Sequence, residues 1–182
     1  LLKGAVIYMV PHMNPDGAVR GNLRTNATGA NLNREWLEST MEKSPEVYLV
    51  REAMKSIGVD MALDVHGDEG LPYNFVAGCE GIPSYDERHA KLEAMFKSAW
   101  AAASPDFQDK FGYEKDKKGE ANLSMATSWI GEQFKCLSYT IEMPFKDNAN
   151  LPDADFGWSG ERSRLFGASV MQAVLNVLPH LR

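Results

Sequence analysis

The sequence AVIYMVPHMNPDG, residues 5–17, sets the fold class of this chain. Its first half is apolar and ends at Pro11, which predicts a short buried strand. Its second half is rich in turn-forming residues, which predicts a polar loop directly after that strand. Because open α/β sheets bind ligands at the carboxyl ends of their strands, we expect this loop to face a substrate.

Composition and charge exclude several classes of protein. The 182 residues are 44% hydrophobic, which suffices for the core of one domain. With 19 basic and 25 acidic residues, a net charge of −6 and no basic run, the chain lacks the features of a nucleic-acid-binding protein. No apolar run reaches the roughly 20 residues that span a membrane. Cys79 and Cys136 lie far apart without CxxC spacing, which favours a reducing, cytoplasmic location.

The order of the predicted elements favours an α/β fold with a mixed, mostly parallel sheet and helices on both of its faces. Short apolar runs predict strands, and apolar residues at helical spacing predict helices. The predicted strands are 5–10, 59–65, 73–77 and 136–142, and the predicted helices are 45–57, 85–102 and 162–178. Residues 106–120 are highly charged and are predicted to be exposed.

Three polar side chains in and after the first loop are candidates for binding an anion. Arg24 and Arg34 carry planar guanidinium groups that match a carboxylate, and Asn33 adds an amide beside Arg34. Surface salt bridges are the alternative explanation for both arginines. The first interpretation predicts that the loop captures a negatively charged group.

Two further candidates stand at the ends of predicted strands. His66 follows a buried strand, where an imidazole could bind a metal or transfer a proton. Glu142 ends an apolar run that would raise the pKa of its carboxyl towards that of a general base. The alternatives are a histidine that is hydrogen-bonded in a turn and an exposed glutamate at a strand end.

Taken together, five segments resemble the M14 family of zinc metallocarboxypeptidases in their order and spacing. The segments are 14–17, Arg24, 31–34, 64–67 and 139–142. The sequences GNLR at 21–24 and DVHG at 64–67 are most similar to the cytosolic carboxypeptidase branch and its bacterial relatives. The resemblance covers most of the chain and implies a carboxypeptidase-like fold.

The resemblance also implies a role for each candidate residue. His66 would be a zinc ligand and Glu142 the catalytic base. Arg24 would polarise the scissile carbonyl and hold the oxyanion, while Asn33 and Arg34 would bind the terminal carboxylate of the substrate. Zinc is the implied cofactor, and the implied partner is the C-terminus of a peptide or a protein tail. These roles agree with the chemistry of the residues, because zinc is a Lewis acid and an arginine can meet developing negative charge.

The sequence departs from the family pattern at the zinc site. In the family an H-x-x-E pair precedes the NPDG loop, whereas only thirteen residues precede Asn14 here, and His12 has Pro15 three positions later. A catalytic zinc normally has three protein ligands. We therefore expect residues 1–182 to be the C-terminal portion of a single catalytic domain that lacks its N-terminal strands. The expected partner is that missing segment, and the chain alone is expected to be nearly inactive.

A second departure concerns the lid and the specificity pocket. Glu120 stands where digestive members carry a lid tyrosine, and the uncharged Thr127 stands at the pocket position, which leaves the side-chain preference open. Tyr113, in the charged segment, is a candidate to reach the site instead.

Two other functions remain open at this point. Zinc-dependent acylamino-acid hydrolases of the aspartoacylase and succinylglutamate desuccinylase type share the fold and an Asn-Arg pair, and they cleave small amides. A non-catalytic fragment that binds C-terminal carboxylates through its arginines is the second alternative.

Overall fold

The structure, a computed structural model, describes residues 3–182 and has the mixed α/β architecture that the sequence predicts. The helices are α1 (Pro15–Arg20), α2 (Pro45–Ile57), α3 (Glu87–Ala103), α4 (Ala126–Phe134) and α5 (Gly160–Val177), with short 3₁₀ turns at Leu32–Arg34 and Leu178–His180. The strands are β1 (Met61–Asp68), β2 (Phe75–Ala77) and β3 (Leu137–Pro144).

The three strands form one mixed sheet in the order β1-β3-β2. Strand β3 is central, parallel to β1 and antiparallel to β2. In this register Glu142 lies opposite His66 on one side and opposite Phe75 on the other. The sheet therefore brings a histidine and a glutamate that are far apart in the sequence to the same end of two neighbouring strands.

Helices pack on both faces of the sheet, as predicted. On one face α3 and α5 enclose an aromatic core that includes Phe96, Trp100, Tyr139 and Phe166. On the other face α2 and α4 form a smaller cluster around Val47 and Trp129. Burial of these side chains supplies the main driving force for folding. Within the described part of the chain, no helix is both long and apolar enough to cross a membrane.

The predicted strand at residues 5–10 is wrong. This segment has no regular secondary structure, and its apolar side chains are mostly exposed, with Val6 80% and Met9 78% accessible. The physical reason is that a strand needs a neighbouring strand for its N–H and C=O groups, and no described strand pairs with this segment. The segment is apolar enough for a strand, but none of the described strands pairs with it.

The other elements agree with prediction to within a few residues, and two helices were not predicted. Helix α2 has its predicted bounds, and β1 begins and ends slightly later than predicted. Helices α1 and α4 were not predicted. Of the segment 106–120 that was predicted to be exposed, residues 109–120 are exposed, but Phe107 is buried in the aromatic core and its two neighbours are half-buried.

Candidate active site

Glu142 is a buried carboxyl at the end of the central strand, with only 5% of its surface accessible. Its Oε1 accepts a hydrogen bond from the Tyr113 hydroxyl at 3.2 Å, while its buried Oε2 has no partner in the described residues. Burial raises the pKa of Glu142 to about 7, although His66 and the Tyr113 hydrogen bond act in the opposite direction. A carboxyl with this pKa and one free oxygen can exchange a proton at neutral pH.

Tyr113 and Asp68 complete the surroundings of this carboxyl. The single proton of the Tyr113 hydroxyl is shared between Asp68 Oδ2 and Glu142 Oε1. Asp68 also accepts from the N–H groups of Gly70, at 2.6 Å, and Leu71, at 2.5 Å. Burial by itself would raise the pKa of Asp68, but these three hydrogen bonds outweigh it and hold the pKa below its usual range. Asp68 is therefore a fixed negative charge that orients the phenol.

His66 is half-buried on β1, across from Glu142. Its Nε2 lies 2.9 Å from Asp64 Oδ2, two residues earlier on the same face of the strand. The hydrogen bond to Asp64 raises the pKa of His66 despite the opposing effect of burial. A carboxylate that holds one ring nitrogen fixes the tautomer and leaves Nδ1 for a metal, which is the usual arrangement of a ligating histidine.

The NPDG loop is held in shape by the residues of its motif. Asn14 caps α1 by accepting from Gly17 N at 3.0 Å, and its amide donates to Thr25 O at 2.9 Å. Gly17 fits where a side chain would not, because an added Cβ would lie 2.3 Å from Thr25 O. This close packing places Arg24 at the cleft, where its guanidinium meets Glu69 at 3.4 Å and is half exposed. Arg24 therefore remains accessible to a substrate, and its ion pair with Glu69 is a weak surface contact.

Asn33 and Arg34 lie in the 3₁₀ turn, and each has a different structural task. The Asn33 side-chain oxygen accepts from Ala126 N at 3.1 Å and so caps the beginning of α4. Arg34 is exposed and donates to Asn33 O at 2.6 Å. Since the oxygen of the Asn33 amide is used, its NH₂ group and the guanidinium of Arg34 are the donors left for an anion.

All five residues proposed from the sequence line one open cleft of about 2350 Å³. Tyr113 lines the same cleft, as considered from the sequence. Thr127 does not line it, because its hydroxyl is buried against that of Thr140 at 2.7 Å. The sequence does not single out Asp64 or Asp68 as a site residue. The signal that indicates Asp64 is its position two residues before His66, on the same strand face.

The described residues fit one side of a zinc site. His66 offers a ring nitrogen, and the unpartnered Glu142 Oε2 stands on the adjacent strand. Among residues 3–182, however, no three His, Cys, Asp or Glu side chains are grouped so that they could hold a metal ion. Among the described residues there is thus one candidate ligand, His66, and one candidate base, Glu142, whereas catalytic zinc normally has three protein ligands.

Residues 1–161 match the zinc carboxypeptidase family, peptidase M14, and the chain belongs to that family. An uncharacterized protein of Zymomonas mobilis is 48% identical over 181 residues, which are all of this chain and 48% of that protein. A metallo-carboxypeptidase from Pseudomonas aeruginosa, in complex with (2-guanidinoethylmercapto)succinic acid, superposes with a TM-score of 0.94 at 48% identity and covers 96% of this chain and 46% of its own. Cytosolic carboxypeptidase 6 of Caenorhabditis elegans is 25% identical over 154 residues, 80% of this chain and 32% of that protein. The chain therefore spans about half the length of the first two proteins.

Proposed function

We propose that the chain carries the catalytic base and the carboxylate-binding side of a zinc-dependent metallocarboxypeptidase that hydrolyses the C-terminal bond of peptides or protein tails. The observation that carries this proposal is the free, buried Oε2 of Glu142 opposite His66. The donors of Asn33 and Arg34 lie in the same cleft. The succinic acid derivative bound by the Pseudomonas relative carries two carboxylates, which is consistent with an anion-binding subsite.

Each residue of the chain has a defined task in this reaction. The Asn33 NH₂ group and the Arg34 guanidinium bind the terminal carboxylate and so fix the scissile bond. Arg24 donates to the carbonyl oxygen as negative charge develops on it. Glu142, with its pKa of about 7, takes a proton from the attacking water and delivers it to the leaving amine.

The cofactor we propose is zinc, with His66 as one of its ligands. The chemistry that bound zinc supplies is Lewis-acid polarisation of the substrate carbonyl. Asp64 holds the other ring nitrogen of His66 and so orients the imidazole.

We further propose that residues 1–182 correspond to the C-terminal part of one catalytic domain. The single histidine ligand and the half-length match to the relatives support this assignment. It follows that the isolated chain binds zinc weakly and is nearly inactive until the remaining part of the domain is present. The proposed location is the cytoplasm, in keeping with the names of the cytosolic carboxypeptidase relatives and the two free cysteines.

The test is an assay of the natural, longer protein with zinc, on an N-blocked dipeptide and on an N-acylated amino acid. We expect release of the C-terminal residue of the dipeptide, loss of activity with a chelator, and a strong loss of activity in Glu142→Gln at unchanged zinc content. Cleavage of the N-acylated amino acid alone would instead favour an acylamino-acid hydrolase. Chelator-insensitive peptide binding without turnover would favour a carboxylate-binding protein.

A further inference from the structure

One segment of the charged region connects helix α3 to the candidate base. We call residues 109–115 the strap. Its first residue, Asp109, lies 3.1 Å from Lys97 Nζ, and the same ammonium group lies 2.7 Å from Glu93 Oε1. The side chains of Lys97 and Glu93 are each only 8% accessible. The strap thus begins at a buried ion pair on α3, where the screening by water is weak.

Lys115, the last residue of the strap, also lies close to the Glu93 carboxylate. Lys115 Nζ lies 2.6 Å from Glu80 Oε1 and 3.6 Å from Glu93 Oε1. The Tyr85 hydroxyl donates to the other oxygen of Glu93 at 2.6 Å. Burial would raise the pKa of Glu93, but the hydrogen bonds around it hold the pKa below its usual range. Glu93 is therefore a permanent negative charge to which both ends of the strap are joined.

The middle of the strap lies on strand β2. The Phe111 ring stacks on Tyr73 with centroids 4.4 Å apart, and the Tyr113 ring meets Phe75 edge-on at 4.9 Å. The backbone between them passes so close that a Cβ on Gly112 would lie 3.0 Å from the Phe75 ring. Phe75 is the residue that pairs with Glu142 across the sheet. Contact with Phe75 therefore brings the Tyr113 hydroxyl to the Glu142 carboxyl.

We propose that Tyr113 is a positioning residue for the base and that the strap, anchored on Glu93, holds it there. Tyr113 engages Oε1 of Glu142, and Oε2 is the carboxyl oxygen that has no hydrogen-bond partner among the described residues. Asp68, on β1, holds the phenol from the opposite side. This role rests on the proposed function, in which Glu142 is the base. Without the hydroxyl, the Glu142 carboxyl is free to rotate, and the rate of proton transfer falls while substrate binding does not.

The kinetic test uses the natural, longer protein and the variants Tyr113→Phe, Lys115→Met and their combination. Loss of a hydrogen bond to the charged carboxylate is expected to lower kcat about 10- to 100-fold in Tyr113→Phe, with KM unchanged. Lys115→Met, which does not touch Glu142, is expected to lower kcat by a smaller factor. The double variant is expected to be no slower than Tyr113→Phe, because both changes remove the same contact.

Lys118→Met is the matched control, since Lys118 is exposed and makes no ion pair within residues 3–182. It is expected to leave kcat unchanged. A kcat for Tyr113→Phe within twofold of the unaltered protein, or losses in Tyr113→Phe and Lys115→Met that multiply in the double variant, would overturn the proposal.

A second measurement separates this proposal from the proposed function. The infrared carbonyl band of protonated Glu142, assigned by its loss in Glu142→Gln, reports hydrogen bonding to that carboxyl without any turnover. We expect the band to move in Tyr113→Phe and, by less, in Lys115→Met, and to stay in Lys118→Met. An unmoved band in Tyr113→Phe overturns the positioning role, whereas a complete lack of peptidase activity in the unaltered protein overturns the proposed function.

Discussion

The two flanks of the sheet carry similar apolar residues, but these residues are buried on one flank and exposed on the other. The flank covered by α3 and α5 is closed, and Phe96 and Trp100 there have no accessible surface. The flank formed by the outer edge of β1 and residues 5–10 is open, and Val65 is 62% accessible. The candidate site repeats this difference, because Glu142 on the central strand is buried, with 5% of its surface accessible, whereas His66 on β1 is only half-buried. Proximity to the open edge, more than residue type, thus separates the buried candidate residue from the accessible one.

The largest expected contrast is in stability. Trp100 stacks on Phe107 and Phe166 and donates to Ser169 at 2.8 Å, so that Trp100→Ala is expected to lower the free energy of unfolding by about 3–5 kcal/mol. Val6→Ala, on the open flank, is expected to change it by less than about 0.5 kcal/mol. Urea unfolding followed by far-UV circular dichroism measures both. Equal losses would show that the two flanks are packed alike.

The next effect concerns Glu142 itself. The pKa of Glu142 in the folded protein, about 7, lies above the value of 4.5 for an unperturbed glutamate. Ionisation of Glu142 therefore lowers the free energy of unfolding. The stability that its protonated form contributes is complete below about pH 4.5 and is lost as the pH rises through 7. Glu142→Gln is therefore expected to be more stable than the unaltered chain by about 3 kcal/mol at pH 8. Urea unfolding midpoints of the variant and the unaltered chain at pH 4 and pH 8 test this. A stability difference between the two proteins that is as large at pH 4 as at pH 8 would contradict it.

A smaller effect is expected from the carboxylate behind His66. In a protein that carries the complete proposed domain, Asp64→Asn should weaken zinc binding by about 10- to 100-fold, because Asp64 fixes the imidazole. Asp60→Asn is the control, since Asp60 directly precedes the first residue of β1, at the opposite end of the strand from His66, and pairs with Arg182 at the surface. Competition titrations with a zinc indicator give the affinities. Equal affinities in the two variants would remove Asp64 from the site.

The smallest effect on stability separates the two neighbours in the 3₁₀ turn. Asn33→Ala removes the cap on α4 and is expected to lower the free energy of unfolding by about 1 kcal/mol. Arg34→Ala, an exposed change, is expected to leave stability within about 0.5 kcal/mol but to abolish binding of a C-terminal carboxylate. Thermal unfolding and calorimetric titration with a short peptide measure the two properties. Unweakened peptide binding in Arg34→Ala would contradict the proposed role.

Local signals explain which elements the sequence predicts well. Helix α2 has Pro45 at its first position and Gly58 directly after its end, so the residues at its own two ends predict both of its boundaries. Helix α4 is short, and the N–H of its first residue is capped by Asn33 from 93 positions away, which no local pattern reveals. The segment 5–10 has a strand-like sequence, yet strand formation depends on a partner outside the segment.

The same distinction holds for the candidate site. His66 and Glu142 could be proposed from the sequence because each ends an apolar run, and the parallel register then brings them opposite each other. Tyr113 could only be suggested, since its approach to Glu142 depends on ion pairs and stacking contacts with distant residues. Asp68 has no signal of its own, because its role arises where the strap crosses the end of β1.

Zinc bound per chain, measured after exhaustive dialysis of residues 1–182, tests most directly whether this chain holds only one side of the metal site. We predict less than about a tenth of a zinc ion per chain, because one histidine does not replace three protein ligands. We also predict that a protein with the complete proposed domain retains close to one ion under the same conditions. Near-stoichiometric zinc in the 182-residue chain, lost in His66→Ala, would contradict this division of the site.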